Sequence, residues 1–222
     1  MNILNYYCFM ILERKKINIE FPFDYQLIER GGNKLAILLH GFGQTSQIMR
    51  DDFLDLIPDE YSVLIPNGPF PIPKIRAESI EHRYAWYFFD RHTNSYKIDY
   101  SFPSKLISEL IQQLGYQSSE KIIVGYSQGG YLSPFLASEL ENISSVYGLA
   151  CTIKWQLLKE EKYDFSLYQI HGQDDLMVDY KNSKEHYQSV AHKFINSDYI
   201  SLESEGHRVS EAFKEALSKI IR

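Results

Sequence analysis

The chain carries Gly125-Tyr126-Ser127-Gln128-Gly129 directly after the apolar run 121–124 and before a stretch able to form a helix. A serine with a glycine two residues away on each side, at a strand-to-helix step, has the pattern of a nucleophile elbow. The turn is so sharp that side chains at both glycine positions would collide with neighbouring backbone, and glycine removes the collision. The serine is then pushed out above the sheet, and the Gln128 amide at the helix start faces any oxyanion that develops there.

A serine hydroxyl is a poor nucleophile until a base takes its proton, and that base must be held in one tautomer by an acceptor. On a doubly wound sheet such partners belong to loops at the carboxyl ends of strands. The segment His171-Gly172-Gln173-Asp174-Asp175 follows an apolar run ending at Ile170, so Asp174 and Asp175 both qualify as the acid by position. The base is His207 in Gly206-His207, after the last strand pattern and before the last helix, where the glycine permits a tight turn. The order serine, acid, histidine along the chain suits such a relay.

The other histidines have plainer readings. His186 and His192 lie in a polar helical segment and read as solvated, while His82 and His92 precede the serine and break the order. His40 and His171 each precede a glycine at a strand end, where hydrogen bonds that tie loops together are expected. Asp174, Asp175 and Asp179 lack the spacing of a calcium loop. A second oxyanion donor is expected in His40-Gly41-Phe42-Gly43-Gln44, where flanking glycines let the Phe42 amide turn toward Ser127.

These residues need a frame. The runs 35–39, 61–65, 121–124, 145–150, 166–170 and 199–202 are short and mostly continuous in apolar residues, as in parallel strands buried on both faces. Between them, 46–56, 104–114, 128–140, 180–193 and 210–221 read as helices. The last is the clearest, with Ser210 as N-cap, Glu211 in the first turn and an apolar stripe of Phe213, Leu217, Ile220 and Ile221. Segments 6–12 and 17–28, joined by the charged Glu13-Arg14-Lys15-Lys16, predict an antiparallel hairpin at the start. Pro134 falls inside the helix after the elbow and predicts a kink or an irregular first turn. The fold class is therefore α/β, a mostly parallel sheet with an N-terminal hairpin and helices on both faces.

With 222 residues, 44% hydrophobic and 23% charged, the chain suits a single domain spanning 1–222. A formal charge of -6 with scattered Lys and Arg gives no footprint for nucleic acid. Cys8 and Cys151 form no C-x-x-C, so neither a disulfide framework nor a zinc site is expected and a reducing, cytoplasmic location fits. Residues 1–12 are apolar, but the basic residues come after them and no small-residue cleavage site follows, which favours a first strand over an export signal. No run approaches the ~18 apolar residues of a membrane span. The sequence leaves the oligomeric state open.

Taken together, these residues make the chain resemble the α/β-hydrolase superfamily, and within it the small carboxylesterase and lysophospholipase family that includes acyl-protein thioesterases. The resemblance runs from about Leu35 to the C-terminus, through His40-Gly41-Phe42-Gly43, Gly125-Tyr126-Ser127-Gln128-Gly129-Gly130, His171-Gly172-x-x-Asp175 and Gly206-His207. Pro66-Asn67-Gly68-Pro69 and Ala85-Trp86-Tyr87-Phe88-Phe89-Asp90 are similar to further family segments. The resemblance implies Ser127 as nucleophile, His207 as base, and the Phe42 and Gln128 amides as oxyanion donors. It selects Asp175 over Asp174, because the family's acid stands four residues after the histidine of the His-Gly pair.

It also implies hydrolysis of a small-molecule ester or thioester through an acyl-enzyme, with no metal or organic cofactor required. Activity is then expected to fall on the acid side near histidine ionisation, about pH 6 to 7. Only about fifteen residues separate the run ending near Ala150 from the next, so no large cap domain is expected. Phe70, Trp86 and Tyr87 in the 66–100 segment are expected to line an acyl pocket. Gln44, Leu176 and Asp179 depart from the family pattern. The competing readings are a peptidase or amidase of the same fold, and a non-catalytic binding protein.

Overall fold

The computed structural model describes residues 20–90, 92–154 and 158–221. Among them, strands β1 (Tyr25–Ile28), β2 (Lys34–Leu39), β3 (Tyr61–Pro66), β4 (Glu120–Tyr126), β5 (Ile143–Leu149), β6 (Ser166–Gly172) and β7 (Ser197–Leu202) form one sheet in the order 1-3-2-4-5-6-7. Every neighbouring pair is parallel except β1, which runs antiparallel to β3 with Tyr25 opposite Pro66. The antiparallel start is therefore present, but its described partner is β3. The other arm proposed for a hairpin, 6–12, lies outside the described residues.

The helices are α1 (Ser46–Phe53), α2 (Ser101–Gln113), α3 (Gln128–Glu139), α4 (Tyr180–Val190) and α5 (Glu211–Ser218). Side chains alternate across each strand, and the alternation divides the core in two. Leu35, Ile37, Leu39 and Ile123 pack with Ile107, Leu132, Leu136 and Tyr187 from α2, α3 and α4. Ala36, Leu38, Ile122 and Val124 pack with Met49, Phe53, Phe213 and Leu217 from α1 and α5. Central strands buried on both sides explain why their sequences are continuous apolar runs.

Three local features add to the sequence reading. α3 stays helical across Pro134, and the irregular backbone falls one residue before the helix, at Ser127. Ser210 stands at the N-cap of α5 without a side-chain cap, and its Oγ is buried with no partner among the described residues. Lys121, at the start of β4, is buried, its ammonium donating to the carbonyls of Gln117, Ser119 and Glu141 at 2.6–2.9 Å. Three carbonyl dipoles replace the water that a lysine otherwise needs.

The 66–100 excursion is built from two-stranded antiparallel ribbons, pairing Phe70–Pro71 with Tyr84–Ala85, Lys74–Ile75 with Ile80–Glu81, and Phe88–Asp90 with Ser95–Ile98. It is anchored through His40, at the end of β2. His40 is fully buried, its Nδ1 2.7 Å from the Gly41 carbonyl while Nε2 accepts from the Gly68 amide at 2.8 Å. Trp86 packs on the His40 ring at 4.7 Å and its indole N–H donates to the His40 carbonyl at 2.8 Å. With no exposed surface, Trp86 is a core residue rather than a pocket wall. Tyr87 is buried too, against Tyr96 and Tyr100, whereas Phe70 is half-buried between Phe88 and Phe102.

Burial pushes the His40 ionisation down from 6.5 to about 4. Between those values the unfolded chain binds a proton that the folded chain does not, so stability rises with pH across that window and is lost as pH falls through it. At about 1.4 kcal/mol per unit, the contribution is of order 3 kcal/mol. Urea unfolding from pH 6.5 to 4 is expected to show this loss in the wild type and a shallower slope in His40→Gln; equal slopes would contradict it. Trp86→Ala is expected to cost about 3–5 kcal/mol in the same assay, as for other large core truncations. A near-neutral effect would return Trp86 to the surface of a pocket.

Candidate active site

Ser127 lies between β4 and α3 with φ 49° and ψ -114°, a left-handed backbone that a side chain rarely adopts. Its amide donates to the Leu149 carbonyl at 2.8 Å, and its own carbonyl accepts from Tyr131 at 3.0 Å, so both sides of the strained residue are tied. The flanking glycines are required by contact. A Cβ on Gly129 would run into the Leu39 and His40 carbonyls, and one on Gly125 into the Gly129 carbonyl and Ser133 Oγ.

His207 stands in the loop between β7 and α5, with Nε2 3.0 Å from Ser127 Oγ and Nδ1 2.7 Å from Asp175 Oδ2. The Asp175 side chain is fully buried, while Asp174 beside it is exposed. Asp175 Oδ1 accepts from the amides of Met177 at 2.8 Å and Val178 at 2.9 Å. Asp175 is thus the acid in contact with His207, and Asp174 is not. Asp179 instead caps α4, accepting from the Asn182 amide at 2.7 Å.

The two loops that bring acid and imidazole together are laced to each other. Gln173 donates to the Leu202 carbonyl and Asp174 to the Glu205 carbonyl, both at 2.9 Å. A Cβ on Gly172 would meet the Glu205 and Gly206 carbonyls, which explains the glycine after His171. Tyr126 Oη donates to the His207 carbonyl, with burial raising this phenol's ionisation to about 12. Imidazole position therefore depends on the residue beside Ser127 as well as on its own loop.

The loop after β2 faces the elbow across one backbone bond, from the Gly129 amide to the His40 carbonyl at 3.1 Å. In that loop the Gly41 amide donates to Gln44 Oε1 and the Gly43 amide to the Tyr84 carbonyl, each at 2.8 Å. The Phe42 amide between them has no acceptor among the described residues. Gln128, first residue of α3, has no intrahelical acceptor either. Two unspent N–H donors at this junction can stabilise negative charge on an oxygen bonded to Ser127's target.

Sequence reasoning missed three contributors. The buried Gln128 side chain accepts from the Trp86 amide at 3.0 Å and donates to the Tyr87 carbonyl at 2.9 Å, fastening the 66–100 excursion to the elbow. Tyr126 holds His207, as described. His171 lies 3.3 Å from Asp175 Oδ2, a contact the i, i+4 spacing contains but does not distinguish from a loop tie. His192 is exposed, as expected of a solvated histidine, whereas His186 is half-buried and bonds the Ile153 carbonyl; His82 and His92 are exposed.

Large apolar side chains are exposed on the loops after β2 and β6: Phe42 is 56% exposed, Leu176 97% and Met177 72%. A cleft of about 410 Å³ beside His207 is lined by Leu176, Met177, Glu205 and Arg208. A larger one of about 910 Å³, between the ends of α2 and α3, touches none of Ser127, Asp175 and His207. Among the described residues no cluster of potential metal ligands is present, and no helix is long and apolar enough to cross a membrane.

This architecture is shared with solved hydrolases. An acyl-protein thioesterase 2 of Zea mays superposes with TM-score 0.68 at 17% identity, covering 88% of this chain and 96% of the other. The esterase PE8 gives 0.67 at 17%, covering 90% and 97%, and a Bacillus cereus carboxylesterase gives 0.66 at 14%, covering 89% and 92%. At these identities the likeness establishes the α/β-hydrolase fold. No curated protein matches the chain. The family model for phospholipases and carboxylesterases, however, matches residues 28–222, from β1 through the elbow and both loops that meet at His207. The chain belongs to the phospholipase/carboxylesterase family.

Proposed function

We propose that the protein is a serine hydrolase of carboxylic esters or thioesters, working through an acyl-enzyme on Ser127. The observation that carries this reading is the unbroken contact from Ser127 Oγ to His207 at 3.0 Å and on to Asp175 at 2.7 Å. Family membership supports the hydrolase class.

In this reading His207 Nε2 takes the Ser127 proton as Oγ attacks the carbonyl carbon, and Asp175 holds Nδ1–H toward itself. The carbonyl oxygen becomes an oxyanion between the Phe42 and Gln128 amides. His207 then protonates the departing alcohol or thiol, and water repeats the sequence to free the acid. The apolar rim of Phe42, Leu176 and Met177 favours acyl-chain substrates, and half-buried Phe70 is the member of the expected aromatic set with surface to offer. A small-molecule substrate, a cytoplasmic setting and a single domain over 1–222 complete the proposal.

Ser127→Ala is expected to lower kcat/KM for short acyl esters by more than about a thousandfold with unfolding unchanged. Asp175→Asn is expected to cost about ten-thousandfold, mainly in kcat, by releasing the wrong imidazole tautomer. Comparison of p-nitrophenyl esters, acyl thioesters and matched anilides measures both and separates the peptidase or amidase reading. Faster cleavage of anilides would establish that alternative, and ligand binding without turnover of any of them would indicate a binding protein.

A further inference from the structure

His171 ends the β6 core inside the protein, its side chain fully buried. Its Nε2 faces two oxygens, the Val178 carbonyl at 3.1 Å and Asp175 Oδ2 at 3.3 Å. Both are acceptors only, so Nε2 must carry a hydrogen. Its Nδ1 faces Ser183 Oγ at 3.0 Å and the Cys151 carbonyl at 3.2 Å.

The hydrogens can be counted. Gln169 Nε2 donates one to the Cys151 carbonyl and one to Ser183 Oγ, the latter at 2.7 Å. Tyr199 Oη gives a further donor to Ser183 Oγ at 3.1 Å. Both Ser183 lone pairs are then taken, and its one hydrogen lies between two acceptors, the Cys151 carbonyl at 2.7 Å and His171 Nδ1 at 3.0 Å. Burial lowers the His171 ionisation, which favours a neutral ring, and the two acceptors at Nε2 then leave Nδ1 as the bare nitrogen facing the Ser183 hydroxyl.

We propose that His171 is a positioning residue for the relay, its Nε2–H fixing Asp175 from the side opposite His207. This rests on the reading of Ser127, His207 and Asp175 as the reacting set. Asp175 then receives three hydrogen bonds, from the Met177 and Val178 amides on Oδ1 and His207 Nδ1 on Oδ2, while His171 Nε2–H, bonded to the Val178 carbonyl at 3.1 Å, lies 3.3 Å from Oδ2 as a second, longer acceptor. Donors on both oxygens, with the His171 N–H closing the remaining side of Oδ2, leave the carboxylate one orientation. Ser183, on α4, holds the other edge of the ring, its hydroxyl between the Cys151 carbonyl and His171 Nδ1. The neighbouring groups are Tyr180 and Tyr199, whose rings lie 6.1 and 6.4 Å from the imidazole.

The test combines kinetics on an acyl ester with 15N spectra of histidine-labelled protein. His171→Phe keeps ring volume and loses the donor; its kcat is expected to fall about ten- to a hundredfold with KM within about twofold. His171→Gln, which retains an N–H at similar reach, is expected to recover most of that loss, and Ser183→Ala to show a smaller fall. In the wild type, the His171 spectrum is expected to show hydrogen on Nε2 and a bare Nδ1. Wild-type kcat in a folded His171→Phe, a Gln variant no better than Phe, or an Nδ1–H tautomer would overturn the inference. Should the wild type cleave no ester, the functional reading fails, while the tautomer spectrum still decides the state of His171.

Discussion

The close approach of α3 to the end of β2 is the contact on which the site depends. Gly129 has to lie against the Leu39 and His40 carbonyls for its amide to bond His40, and nothing larger than hydrogen fits on its α-carbon. That proximity brings the Phe42 loop to the start of α3. It also forces the chain at Ser127 into a left-handed conformation, held by backbone bonds to β5 and to Tyr131. Strain of this kind costs of order 1–3 kcal/mol and persists where surroundings over-determine it.

A second set of contacts works at the other side of Ser127. The loops after β6 and β7 are joined by backbone bonds, and the acid and imidazole they carry meet at 2.7 Å. Behind them lies a buried polar network running from Asp175 through His171 to Ser183, Gln169 and Tyr199. Such networks are specific when their polar groups are paired, and here the Gln169 oxygen is the atom left without a partner among the described residues. The proposed relay is thereby held by two loops tied to each other and to the end of β7.

Much of this was legible in the chain because each feature has a local cause. Parallel strands buried on two faces must be continuously apolar, so 35–39, 61–65 and 121–124 gave themselves away, as did the glycines of the elbow. Asp174 and Asp175 were equal by position; burial and the two amides on Oδ1 separate them. The two-residue ribbons of 66–100 are too short to carry a period. Trp86 reads the same in sequence whether it lines a pocket or packs on His40, and the Lys121 ammonium finds its three carbonyls only once β4 and its neighbours are folded. Segment 6–12 lies outside the described residues.

The central claim is that the strained serine is activated by its contact with His207. Reaction of the purified, folded protein with a fluorophosphonate, read by intact mass and peptide mapping, tests it without knowledge of the substrate. The account predicts stoichiometric modification at Ser127, and much slower modification in His207→Ala. No modification of the folded wild type, or modification at another residue, would contradict it.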